Sequence, residues 1–128
     1  MEIGRFVTRS VLTVKENDCL RDAAIWMMER GVGSAVVLKD GRPSGIVTDR
    51  DTLKVVAQDL DGNVTVGGVL TRKLTTAPES LDLFEAARRM RDKGFRHLVV
   101  VDDDGDLVGV FSMRDLVVGL LEELDRVE

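Results

Sequence analysis

Apolar positions along the chain follow two different periods in turn, and the whole alternation occurs twice. Val11-Leu12-Thr13-Val14 reads as an extended piece that runs into a polar break at Asn17-Asp18. Leu20, Ala23, Ala24, Met27 and Met28 then recur at the three- and four-residue spacing of one helix face. Gly31 stands where a left-handed residue would end that helix. Ala35-Val36-Val37-Leu38 is short, β-branched and bounded by turn residues, the pattern of a buried strand. Lys39-Asp40-Gly41-Arg42 predicts an Asp-Gly hairpin turn, Gly45-Ile46-Val47 a second strand, and a second helix is expected from near Asp49.

The second half repeats this order. Leu74-Thr75-Thr76-Ala77 is extended, and Leu83, Ala86, Ala87 and Met90 carry the helical period up to Gly94. Leu98-Val99-Val100-Val101 and Leu107-Val108-Gly109-Val110-Phe111 predict strands around a turn at Asp102 to Gly105. A last helix begins near Met113. Asn17-Asp18 and Ser80 are the expected N-caps of the first helix in each half. Thr8-Arg9, Thr13, Glu16, Leu20, Ala23, Ala24, Met27, Gly31 and Val36-Val37 return as Thr71-Arg72, Thr76, Glu79, Leu83, Ala86, Ala87, Met90, Gly94 and Val99-Val100. Each pair is 63 positions apart. One extra acidic residue in Asp102-Asp103-Asp104 moves the offset to 64, and Gly41, Gly45, Arg50 and Asp51 return as Gly105, Gly109, Arg114 and Asp115. A constant offset means internal duplication. Each copy predicts β-α-β-β-α, an α/β (α+β) chain, with copies over 1–61 and 62–128 and a linker at Asp59 to Asn63. One such unit buries little apolar area, so duplication is expected on stability grounds.

Composition narrows the function. Net charge is −5, from 18 basic and 23 acidic residues, which disfavours a nucleic-acid-binding face. The single cysteine, Cys19, cannot form an internal disulfide and suits a reducing compartment. No apolar run reaches the ~18 residues of a membrane span. The charged opening Met1-Glu2-Ile3-Gly4-Arg5 lacks a signal-peptide core, so a cytoplasmic protein with no membrane partner is expected.

The chemistry concentrates where each second helix begins. Gly45-Ile46-Val47-Thr48-Asp49-Arg50-Asp51 and Gly109-Val110-Phe111-Ser112-Met113-Arg114-Asp115 share Gly, two apolar residues, a hydroxyl, any residue, Arg and Asp. A hydroxyl followed three residues later by an acid resembles a capping box, which needs no ligand. The same geometry suits a nucleotide. A helix N-terminus offers free amides and a positive dipole end, Arg adds charge-assisted hydrogen bonds, and an acid one turn in can accept from both ribose hydroxyls. Capping requires neither the Arg nor the Gly, yet both recur.

Two β-α-β-β-α copies with this motif, together with Arg96-His97-Leu98-Val99-Val100-Val101-Asp102, resemble a tandem CBS-domain module from about Thr8 to Leu121. The last run is similar to one in the gamma subunit of AMP-activated protein kinase. Nothing in the chain resembles a fused catalytic domain, so a stand-alone CBS pair is expected. The resemblance implies two repeats packed with pseudo-twofold symmetry around two clefts. Asp51 and Asp115 would bind ribose. Thr48 and Ser112 would contact phosphate, aided by Arg50, Arg114, Arg96 and His97. An apolar adenine slot would draw on Val11, Thr13, Val32, Ser34, Ala35, Ile46, Leu74, Thr76, Phe95, Leu98 and Val110. One cleft would pair Asp51 with Leu74, Thr76, Phe95 and Leu98, the other Asp115 with Val11, Thr13, Val32, Ser34 and Ala35. Such modules dimerise into a flat disc of four repeats. The clefts should be unequal, because Gly33-Ser34 corresponds to Arg96-His97 and Asp49 to Met113.

The resulting expectation is a regulatory binding module for AMP, ADP, ATP or a related compound such as S-adenosylmethionine, held as a regulatory ligand and not as a cofactor. It is expected to act as a homodimer on a protein it regulates. The alternative is an interaction scaffold with degenerate clefts. An enzyme is disfavoured, since no nucleophile–base pair, metal cluster or P-loop is signalled. Cys19 has no partner spacing, and Asp102-Asp103-Asp104 reads as a solvated turn. Trp26 fits either the core or a dimer surface. Leu116 to Leu124, with Leu53, Val55 and Val56, carries the apolar stripe expected at a dimer face.

Overall fold

The structure, a computed structural model, describes all residues except Asp59, Leu60, Gly62, Thr71, Arg72, Lys73 and Glu128, and the side chain of Val127. Most of the expected linker and the Thr71-Arg72 repeat pair therefore lie outside the described residues.

Both copies are β-α-β-β-α. In the first, β1 (Thr13–Lys15), α1 (Leu20–Arg30), β2 (Ser34–Lys39), β3 (Arg42–Thr48) and α2 (Asp49–Ala57) follow in order. A one-turn helix, α3 (Val66–Val69), leads into the second copy: β4 (Thr76–Ala77), α4 (Leu83–Lys93), β5 (His97–Val101), β6 (Leu107–Ser112) and α5 (Met113–Val127). Each sheet has three strands with the central one paired parallel to the first and antiparallel to the third. The mixed pairing follows from connection length, since a helix separates the parallel pair and a short turn the antiparallel one.

Side-chain alternation explains the continuous apolar runs. Ala35 and Val37 of β2 point into one core with Leu20, Ala23, Met27, Val47 and Val55. Leu98 and Val100 of β5 point into another with Leu83, Ala86, Met90, Phe111 and Leu116. Val36 and Val99, on the opposite faces, are also buried, as strands apolar at every position require. The helices end as expected, with Gly31 and Gly94 left-handed at φ 66° and 73°. The two hairpins differ. Asp40 and Gly41 both have positive φ, the two-residue turn that Asp-Gly favours. The extra residue in the second copy gives a longer loop in which the Asp102 carboxylate accepts the amides of Asp104 and Asp106.

The expected N-caps are corrected. The Asp18 carboxylate accepts the Lys15 amide and closes the turn before α1, whose N-cap is Cys19 with no side-chain bond. Asp82, not Ser80, caps α4 by accepting the amides of Phe84 and Glu85. Cys19 is thus just outside the first turn.

The compact units do not follow the sequence copies. One contains residues 11–74, the other residues 1–10 with 75–128. The N-terminal arm carries a 3-10 helix, Ile3–Arg5, and Ile3 is fully buried in the second copy's core. Its anchoring repeats in the other unit at an offset of 63. Ile3 and Gly4 donate to the carbonyls of Leu81 and Glu79, while Val66 and Gly67 donate to those of Asp18 and Glu16. Leu83 donates to Met1 O as Leu20 does to Val64 O. A Cβ on Gly4 or Gly67 would press on Glu79 or Glu16. The duplication therefore begins before Thr8, and Ile3-Gly4 matching Val66-Gly67 is the signal in the sequence.

Candidate functional site

The recurring motif lies where β3 turns into α2 and where β6 turns into α5. In the unit of residues 11–74, Thr48 is the extended N-cap of α2 and Asp51 is its third residue, completing a capping box. The Asp51 carboxylate accepts the Thr48 amide at 2.7 Å and its hydroxyl at 3.3 Å. In the other unit the Asp115 carboxylate accepts the Ser112 amide at 2.8 Å and hydroxyl at 3.0 Å, and the Ser112 oxygen accepts the Asp115 amide at 3.2 Å. All four side chains are half-buried, and Arg50 and Arg114 are exposed beside them. Each site is thus a helix N-terminus with a fixed carboxylate and an adjacent guanidinium.

The loop before the central strand completes each site. Ser34 pairs with Thr48 and His97 with Ser112 across the hairpins. The Asp49 amide donates to Gly33 O and the Met113 amide to Arg96 O. One unit therefore gathers Arg96, His97, Ser112, Arg114 and Asp115. The other gathers Gly33, Ser34, Thr48, Asp49, Arg50 and Asp51, and a Cβ on Gly33 would meet the Asp49 carboxylate at 3.3 Å. The first set is the more positive and suits an anion better.

The glycine of the motif has a structural cause. The arm crosses β6 at this point, where Thr8 and Val110 exchange both backbone hydrogen bonds, at 3.0 and 2.9 Å. A Cβ on Gly109 would collide with the Thr8 carbonyl, while one on Gly45 would meet the Leu70 side chain at 2.8 Å. The arm also brings a residue the sequence reading missed. The Thr8 hydroxyl donates to Asp115 Oδ1 at 3.2 Å, across 107 positions that only the fold closes.

The expected adenine-slot residues divide by burial. In the unit of residues 11–74, Val11, Ser34, Ile46 and Leu74 are half-buried and Thr13 and Val32 exposed. In the other, Phe95 is half-buried, Thr76 exposed and Val110 buried. Ala35 and Leu98 have their side chains in their own units' cores. The expected dimer stripe is corrected in part: Val55 and Leu116 are buried core residues, whereas Leu53, Val56, Val117, Val118, Leu121 and Leu124 are exposed. Helical phase turns the two groups to opposite sides. Trp26 packs half-buried against the core. Asp102, Asp104 and Asp106 approach one another as an exposed acidic turn. Among the described residues no helix is long and apolar enough to cross a membrane.

Comparison with known proteins adds four findings. Residues 3–58 and 66–122 each match the CBS domain. An uncharacterised protein of Methanopyrus kandleri is 32% identical over 120 residues, which span 91% of this chain and 61% of that longer protein. A CBS domain protein from Pyrobaculum aerophilum complexed with AMP is 31% identical, with a TM-score of 0.82 over 90% of this chain and 89% of that one. The AMP complex of CBSX2 is 29% identical, with a TM-score of 0.84 over 94% and 96%.

Proposed function

The chain belongs to the CBS domain family as a tandem pair, and from that premise we propose that it is a regulatory module binding adenine nucleotides or related adenosine compounds. The observation that carries this is the recurrence, in both units, of a capped helix N-terminus with a half-buried carboxylate at its third residue and an exposed Arg beside it. The amides and dipole of such an end favour phosphate, and the carboxylate accepts ribose hydroxyls. Likeness to two proteins whose structures hold AMP supports the same ligand class. AMP, ADP, ATP and S-adenosylmethionine share the groups addressed.

Arg96, His97 and Arg114 favour the Ser112–Asp115 site for phosphate-bearing ligands. Ligand would act by preferring one of two arrangements of the module. The exposed apolar residues of α2 and α5 fit a homodimer or a regulated protein.

Calorimetric titration with AMP and ATP tests the proposal. Two ligands per chain, reduced to one by either Asp51→Ala or Asp115→Ala, or one ligand per chain, abolished by Asp115→Ala and unaffected by Asp51→Ala, is expected. Absence of heat and of any thermal shift at millimolar ligand would refute it. One observation favours a scaffold with degenerate clefts: in both motifs the carboxylate is already engaged by the helix-entry amide of its own chain. That reading requires nucleotide-soaked crystals to show neither site occupied.

A further inference from the structure

We propose that Thr8 is a specificity-determining residue of the Ser112–Asp115 site: its hydroxyl, held on the carboxylate, is the second acceptor for a vicinal diol, so arm docking and ligand binding reinforce each other. The inference rests on the reading of Asp115 as a ribose-binding carboxylate.

Acceptor counting leads to it. A carboxylate offers about four lone-pair directions. Asp115 Oδ2 already receives the Ser112 amide at 2.8 Å and the Ser112 hydroxyl at 3.0 Å. Oδ1 receives the Thr8 hydroxyl at 3.2 Å, with Oδ2 a more distant acceptor for the same proton at 3.4 Å. One direction on Oδ1 remains, and a diol brings two protons. Thr8 Oγ1 spends its single proton on Asp115 and keeps two lone pairs. It lies 3.2 Å from Oδ1, on the scale that separates hydroxyls on adjacent carbons. One diol hydroxyl then donates to Oδ1 and the other to Thr8 Oγ1.

The fold holds Thr8 there firmly. Its amide and carbonyl are both paired with Val110, Gly109 has no side chain to obstruct it, and the neighbouring Arg9 is ion-paired with Glu79. Thr8 is exposed and Asp115 half-buried, so a ligand reaches both. The counterpart of Thr8 in the other copy, Thr71, lies outside the described residues.

The test uses the whole 128-residue chain carrying Asp51→Ala, so that one site is read. This parent, with Thr8→Val and Thr8→Ser added in turn, is titrated calorimetrically with AMP, 2′-deoxy-AMP and 3′-deoxy-AMP. Thr8→Val, isosteric and at an exposed position, should weaken AMP about tenfold, the scale of one hydrogen bond. It should also erase most of the discrimination against one deoxy analogue, while Thr8→Ser keeps affinity and discrimination. Saturating AMP should slow amide exchange at Thr8 and Val110 in the parent. Thr8→Val binding AMP like its parent overturns the proposal. Equal weakening of AMP and both analogues overturns it too, since that is a structural loss. Faster exchange of the arm on AMP binding would mean displacement and also overturns it. A parent that binds no AMP defeats the ribose reading of Asp115 itself, a result distinct from a binding parent indifferent to Thr8.

Discussion

Asp51 and Asp115 each complete the capping box of a helix and are the carboxylates proposed to bind ribose, so mutating them tests two things at once. Asp115→Ala should cost about 1 kcal/mol of stability, the worth of a cap, and abolish binding at its site; chemical denaturation and calorimetry read the two effects separately. The motif glycines separate the units more sharply. At Gly109 the obstacle to a methyl is the Thr8 backbone, whereas at Gly45 it is the movable end of Leu70. Gly109→Ala should therefore cost about 1–3 kcal/mol and also weaken binding, because it dislodges Thr8. Gly45→Ala should cost clearly less. Equal losses in denaturant melts would contradict the arm's place over β6. Both carboxylates and both glycines were visible in the repeat. The glycines' reason was not, because the chain passing over them is remote in sequence.

Among the elements, the strands and helices emerged from periodicity, and their ends depended on finer chemistry. Asp82 rather than Ser80 caps α4 because helix entry is decided by which carboxylate reaches the first free amides. Those bonds, the Glu85 amide foremost, hold the Asp82 carboxyl below its ordinary value of 3.8. A depressed folded value means that the stabilisation is present above the ordinary value and lost as pH falls through the folded one. Asp82→Ala should lower Tm at neutral pH, and the gap to wild type should close below pH 3.8, while Asp82→Asn retains most of the cap. A pH-independent gap in thermal melts would point to packing instead. Within the strands, Leu98→Ala should cost about 2–5 kcal/mol by denaturant unfolding, because its fully buried side chain would leave a cavity.

For the molecule as a whole, the exchange of arms matters most. Each compact unit is completed by the segment that precedes the other copy in sequence, residues 1–10 in one and the 64–70 stretch in the other. Deleting residues 2–9 removes Ile3 from a core and Thr8 from β6. Hydrogen exchange should then rise in α4, β6 and α5 and stay unchanged in α1, β2 and β3. A uniform rise would argue that the arm supports the molecule generally. The exposed apolar residues of α2 and α5 suggest self-association, and Leu121→Glu with Leu53→Glu should lower the oligomeric state seen by sedimentation if those faces pair.

The sequence alone determined the duplication, the β-α-β-β-α order and the pairing of hydroxyl, Arg and Asp at each second helix. These are local or periodic features, and local sterics and side-chain spacing are written residue by residue. Only the tertiary structure decided which carboxylate caps α4, that Val55 and Leu116 face inward, and that the arm opening the first copy packs in the core of the second copy's unit. The cap turns on which local carboxylate meets the first free amides of α4, while the inward faces and the arm depend on packing between segments far apart in the chain. The Thr8 hydroxyl on Asp115 is the plainest case, since neither residue signals the other until the fold brings β6 beneath the arm.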